Sequence, residues 1–168
     1  MYRLLVLDVD GTLTDGKIYL SQHGEEMKAF HVRDGYGIRH ILPKLQMNAA
    51  MITGRQSEIV KKRAEELGIR MVYQGISDKA ACLRQILKEQ GYTAKETVYI
   101  GDDENDRECM QIAGFCACPA DAHRSVRDVA DYIASKNSGD GAVREIIDRL
   151  LSAALDRQSV EGLDICGS

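Results

Sequence analysis

The chain has 168 residues, 44% hydrophobic and 29% charged, with a formal net charge of −4. That size and balance describe one domain able to bury a real core, and no run approaches the roughly 20 apolar residues needed to span a bilayer. The lack of any lysine or arginine block, the few aromatics and the absence of Trp argue against a nucleic-acid surface. The N-terminus leads straight into a strand with no charged leader, so a cytoplasmic protein is expected. Cys82, Cys109, Cys116, Cys118 and Cys166 show no C-x-x-C pairing and are expected to be reduced thiols.

The first predicted element is the apolar run Leu4-Leu5-Val6-Leu7, closed by Asp8-Val9-Asp10-Gly11-Thr12. A run this short reads as a strand buried on both faces, as in a parallel sheet between helices. In a plain strand Asp8 and Asp10 leave on the same face, and two carboxylates so close repel unless a cation sits between them. Alternating residues over 17–20 and 27–32, separated by Gln22-His23-Gly24, predict a β-hairpin. It follows the first strand with no helix between, so it overhangs that strand's C-terminal end. Residues 34–45 carry helical spacing with Asp34 as N-cap, and Pro43 should distort the last turn.

Strand 48–52 then stops at Thr53-Gly54-Arg55, and Ser57 is placed to cap a helix through Leu67 that Gly68 ends. Strand 71–73 precedes a helix that begins near Lys79 and stops at Gly91. Strand 97–100 runs into Gly101-Asp102-Asp103-Glu104-Asn105-Asp106. A helix to Ala113, strand 115–118, a further helix, a strand at Tyr132-Ile133 and a last helix from 142 to about 155 complete an alternating order, followed by a polar tail. The fold expected is a doubly wound, Rossmann-like parallel sheet with a protruding hairpin over about 16–32.

In such a sheet the strand ends lie side by side, so Asp8, Asp10, Thr53, Lys79, Asp102, Asp103 and Asp106 can share one site. Carboxylates, a lysine and a hydroxyl together suit phosphoryl transfer to an aspartate, with Mg²⁺ neutralising the acids and Lys79 and Thr53 holding the transferring oxygens. A hard cation fits because the candidate ligands are oxygens, with no His or Cys among them. Each residue also has an ordinary reading. Aspartates are common at strand ends, Lys79 could be a solvated first-turn lysine, and Arg63 lies on a helix whose charged face needs no function.

Asp8-x-Asp10-Gly11-Thr12, Thr53-Gly54-Arg55, Lys79 and Gly101-Asp102-Asp103-x-x-Asp106 resemble, in order and on matching strand ends, the four motifs of the haloacid dehalogenase-like phosphatase superfamily. Further stretches, Phe30-His31-Val32-Arg33-Asp34-Gly35-Tyr36-Gly37-Ile38 and Tyr73-Gln74-Gly75 among them, resemble the capless branch that acts on 3-deoxy-D-manno-octulosonate 8-phosphate. The resemblance implies a phosphatase domain over 1–155, without a cap domain, and a tail over 156–168. It implies Asp8 as nucleophile, Asp10 as general acid and base, and Mg²⁺ between the Asp8 and Asp102 carboxylates and the Asp10 backbone carbonyl. Thr53 and Lys79 would hold phosphoryl oxygens, with Asp103 and Asp106 orienting Lys79 or metal-bound water.

For the sugar acid, the same resemblance implies Arg33, Arg55 and Arg63, the last acting across a subunit interface, with His31, Val32, Asp34 and Gly35 lining the sugar. It also implies a homotetramer built through the hairpins, and a mobile segment at Gly139–Gly141 that reaches a nearby site. The related phosphatase of a nine-carbon sugar acid carries a glutamate in place of Arg55 and a lysine in place of Glu66, so the eight-carbon substrate is expected. The competing classes are the nine-carbon phosphatase and a phosphoacceptor or non-catalytic regulatory domain. Against the phosphoacceptor stands Asp10, a proton carrier that a long-lived aspartyl-phosphate does not need.

Overall fold

The computed structural model describes residues 1–163, with Glu26 and residues 158–163 described by backbone alone. Cys166 and the end of the expected tail lie outside the described residues. Strand β1 (Leu4–Leu7) is fully buried and is followed by the hairpin β2 (Tyr19–Ser21) and β3 (Gly24–Met27). Then come α1 (Val32–Tyr36), β4 (Asn48–Ile52), α2 (Glu58–Leu67), β5 (Met71–Tyr73), α3 (Lys79–Gln90) and β6 (Thr97–Ile100). The chain continues through α4 (Arg107–Ile112), β7 (Phe115–Cys118), α5 (Arg124–Arg127), β8 (Tyr132–Ile133) and α6 (Ala142–Leu163).

Six strands pair in parallel in the order β5-β4-β1-β6-β7-β8. The chain winds outward from β1 to one side and then to the other, so β1 sits where the winding direction reverses. Outside the carboxyl ends of the strands at that point is where open α/β sheets bind ligands. Alternation along β1 divides the core. Leu5 and Leu7 pack with Val60, Ala64 and Leu67 of α2 and Val143, Ile146 and Ile147 of α6. Leu4 and Val6 pack with Leu83 and Ile86 of α3 and Met110 of α4. Ser57 caps α2, its hydroxyl accepting from the Val60 N–H, and Gly68 and Gly91 close α2 and α3 in the left-handed conformation.

Four expectations need correction. The second hairpin arm is Gly24–Met27, not 27–32, because Lys28 and Phe30 alternate inward from an extended segment that has no ladder partner. The segment expected as one helix over 34–45 starts two residues earlier, capped by His31, and breaks into an α turn, a π turn (Gly37–Ile41) and a 3-10 turn (Leu42–Leu45) that contains Pro43. Asp34 is therefore no cap; it lies inside α1, 1% exposed, and accepts the Arg144 N–H at 2.7 Å. The last helix runs past residue 155 to Leu163.

The Gly139–Gly141 segment, expected to be mobile, lies against the loop after β1. It is a loop leading into α6, with Ser138 held by Asp121 through two hydrogen bonds of 2.8 and 2.9 Å. Gly139 packs so tightly on the backbone of Thr14 and Asp15 that no side chain fits there. Among the described residues, no helix is long and apolar enough to cross a membrane.

Candidate active site

The loop after β1 winds around one carbonyl: Val9 O accepts from the N–H groups of Thr12, Leu13 and Thr14 at 3.3, 2.9 and 3.1 Å. This puts Asp10 in a turn, so the plain-strand argument for the pair holds only for Asp8, which sits just past the end of β1 with its N–H on Ile100 O at 3.0 Å. Gly11 has φ +88° and faces Asp102 so closely that a Cβ would overlap its carboxylate. Gly101 stands in the same relation to Asp106 without an unusual φ. Both glycines are therefore required by the acids they face.

Asp8 is 5% exposed and Lys79 3% exposed, and the Lys79 ammonium lies 2.8 Å from an Asp8 oxygen and 2.8 Å from an Asp106 oxygen. Lys79 opens α3 directly behind its cap Asp78, so the helix start aims it back across the sheet. Asp106 holds it there. One Asp106 oxygen takes Lys79 and the Tyr99 hydroxyl (2.7 Å), and the other takes the N–H groups of Asp102 and Asp103 at 3.1 and 3.3 Å. Asp103 does not share that task. It is exposed, and its carboxylate caps the next turn by accepting the Glu104 N–H at 2.8 Å.

Ligand-type oxygens of Asp8, Asp102 and Asp106 lie within 4.8 Å of one another. Since the Asp106 lone pairs are already taken, Asp8 and Asp102 are the carboxylates free to hold an ion. Burial and then the Asp106 charge push the Asp8 carboxyl well above the usual range, against the pull of Lys79. The same two causes lift Asp102 to about 6, although the Thr12 hydroxyl donates to it at 3.0 Å. Burial works against the Lys79 charge, but Asp8 and Asp106 outweigh it and raise its pKa. One ammonium facing three carboxylates leaves excess negative charge, and an all-oxygen donor set answers it with a hard divalent cation. The residues fit Mg²⁺.

The expected pocket residues divide. Thr53 directly follows β4, next to β1, 2% exposed, its N–H on Tyr73 O at 2.9 Å. Arg55 is exposed beyond it, and its charge acts on Glu25 of the hairpin. His31 receives the Arg33 N–H at 3.3 Å and lies 4.0 Å from Asp140, while Val32 and Arg33 point outward and are exposed. Arg63 turns toward its own chain: it stacks over Phe30 (5.4 Å to the ring centroid), fills the space that Gly35 leaves, and pairs with Glu66 at 3.0 Å.

Sequence reasoning missed Lys28. Its ammonium pairs with Asp10 and, at 2.9 Å, with Glu25, while the other Glu25 oxygen accepts the Ser57 hydroxyl. A lone lysine after a hairpin reads as solvated; the only signal was its alternation with Phe30. The four described cysteines are free, with no ligand geometry. Burial lifts Cys109 to about 12 and Cys116 and Cys118 to about 11, so these thiols are inert.

The sequence pattern of the haloacid dehalogenase-like hydrolases matches residues 52–146. The chain is 43% identical over 163 residues to the 3-deoxy-D-manno-octulosonate 8-phosphate phosphatase of Escherichia coli K12, covering 97% of this chain and 86% of that protein. It superposes with a TM-score of 0.87 on the corresponding phosphatase of Moraxella catarrhalis, solved with a magnesium ion, a phosphate ion and a KDO molecule, at 41% identity over 90% of this chain and 87% of that one. The cobalt-bound enzyme of Haemophilus influenzae also gives a TM-score of 0.87, at 38% identity over 90% of this chain and 88% of that one. With the four motifs gathered on one sheet edge and these matches spanning nearly its whole length, the chain belongs to the haloacid dehalogenase-like hydrolases.

Proposed function

We propose that the protein is a Mg²⁺-dependent phosphomonoesterase that hydrolyses 3-deoxy-D-manno-octulosonate 8-phosphate to the free sugar acid and phosphate, a step toward a lipopolysaccharide precursor. The observation that carries it is the buried Asp8 carboxylate, 2.8 Å from a Lys79 ammonium that Asp106 holds in place, with Asp102 adjacent. Asp8 attacks the phosphorus, the bond to the sugar oxygen breaks, and Asp10 gives that oxygen a proton. Asp10, now a carboxylate, takes a proton from the water that attacks the aspartyl-phosphate, and phosphate leaves as Asp8 is regenerated.

Lys79 and Thr53 bind the equatorial phosphoryl oxygens, Lys79 supplying the charge that lets one anion approach another. Asp8, Asp102 and the Asp10 carbonyl would hold Mg²⁺, which when bound offsets the charge of the acids and the phosphate together. Arg33 and Arg55 are the guanidinium groups for the sugar carboxylate.

The exposed Ile18, Tyr19, Leu20 and Met27 make the hairpin apolar on its outside, and a two-stranded ribbon does not stand alone. Support for a homotetramer through the hairpins rests there. Free thiols fit a reducing cytoplasm. Phosphate release from the eight-carbon substrate with Mg²⁺ tests the reading: it should vanish in Asp8→Asn, and undiminished turnover there would overturn the mechanism. A higher kcat/KM for a nine-carbon sugar acid 9-phosphate would overturn the substrate.

A further inference from the structure

Asp10 has two oxygens in different surroundings. One is paired with the Lys28 ammonium, and the other is buried with no hydrogen-bond partner. The Lys28 side chain is 1% exposed, and Glu25, 14% exposed in its side chain, holds it from the other side at 2.9 Å. Glu25 is fixed in turn by the hydroxyl of Ser57, whose N–H donates to Gln74 at 2.7 Å. A connected series of polar contacts therefore runs from the end of β5 through the cap of α2 and the hairpin to Asp10.

A lysine in such a place loses hydration and side-chain freedom, and it persists only where its charges are matched. Lys28 is the only side chain that pairs with an Asp10 oxygen among the described residues, so without it the carboxylate would lose the contact that fixes which oxygen faces a leaving group. We propose that Lys28, carried in from the hairpin, is the positioning residue of the proton carrier. It occupies one Asp10 oxygen and leaves the other free to exchange the proton with the sugar hydroxyl and then with water. This deepens the phosphatase reading above and rests on it.

Leaving-group chemistry separates positioning from mere support. Loss of a sugar alkoxide needs the Asp10 proton, whereas p-nitrophenolate leaves without one. For both esters kcat/KM stops at aspartyl-phosphate formation and does not include the water step. In Lys28→Met, kcat/KM for the sugar acid phosphate should fall about 10- to 100-fold more than kcat/KM for p-nitrophenyl phosphate, within the range general acid catalysis supplies. Asp10→Asn should show the same selective loss, and adding Lys28→Met to it should cost the sugar ester nothing further.

Should the single variant fail to fold around an unpaired Glu25, the double variant Glu25→Gln/Lys28→Met removes both charges and takes its place. Equal losses on the two esters, or no loss on either, would overturn the proposal. Wild-type turnover of the eight-carbon substrate is read separately, and if it fails, the ratio is measured with whichever alkyl phosphate the wild type cleaves.

Discussion

Raising the pH should destabilise this protein when divalent metal is removed, and the site gives the size of the effect. Asp102 titrates at about 6 in the fold, against a reference value of 3.8. A carboxyl whose pKa is raised on folding binds more protons in the native state, so stability is fully present below about pH 4 and is lost as the pH rises through 6. The shift corresponds to about 3 kcal/mol in all, of which about 1 kcal/mol falls between pH 5 and pH 7. In a domain of this length that is a drop in Tm of about 2 to 4 °C.

Urea unfolding in chelator at pH 5 and pH 7 measures it, and Asp102→Asn isolates it. The amide can still accept the Thr12 hydroxyl that lies 3.0 Å from Asp102, but it cannot ionise, so the difference in pH slope between the two proteins belongs to Asp102 together with the part of the Asp8 shift that its charge causes. Mg²⁺ should stabilise the wild type more at pH 7 than at pH 5, because protons compete for the same oxygens. A wild-type slope equal to that of Asp102→Asn, or equal Mg²⁺ stabilisation at both pH values, would refute the assignment of Asp102 as a strained metal ligand.

Gly11→Ala places a Cβ on the Asp102 carboxylate at φ +88°; a stability loss of about 1–3 kcal/mol and a weaker Mg²⁺ activation constant are expected, read from urea unfolding and from activity against metal concentration. Tyr99→Phe removes a hydroxyl donated to Asp106 at 2.7 Å and should cost about 1.5–3 kcal/mol of stability. The Tyr99→Phe loss in kcat should stay below about 10-fold, because Lys79 and two backbone N–H groups still hold Asp106. Leu20→Lys, at a side chain 67% exposed, should leave subunit stability within about 0.5 kcal/mol; under the proposed hairpin-mediated tetramer it should shift sedimentation toward smaller species, and a monomeric wild type or an unchanged sedimentation profile would overturn that assembly.

Strands β4, β5, β6, β7 and β8 end where their residues predicted, because a short run buried on both faces has no freedom over where its polar boundary lies. The clustered acids Asp8, Asp102 and Asp106 and Lys79 were legible for the same reason: each follows such a boundary. Around Asp34 the reading failed because two signals competed. Helical spacing from Ile38 to Leu45 was real, but His31 had already capped the chain, and a carboxylate two residues into a helix looks from sequence like a cap. Lys28 was missed because of the general rule that long cations are solvated. Burial of Lys28 depends on Asp10 and Glu25, and that of Arg63 on Phe30 and Gly35, contacts that only the folded hairpin and α1 create.

The two aspartates of the proposed mechanism, Asp8 and Asp10, differ most in what holds their countercharges. Lys79 stands at the start of α3 and is pinned by Asp106, which is itself tied to Tyr99 and to two backbone N–H groups. The groups that hold Lys79 against Asp8, the proposed nucleophile, thus belong to the sheet and its helices, between the two core clusters. Lys28 follows β3 and is pinned by Glu25, so the partner of Asp10 belongs to a hairpin that has little core of its own. Deforming the hairpin should therefore leave attack by Asp8 largely intact while impairing proton delivery. Leu20→Lys supplies the case: if dispersing the subunits loosens the hairpin, the sugar ester should lose more kcat/KM than p-nitrophenyl phosphate, and an equal loss on both would place the control of Asp10 within the core instead.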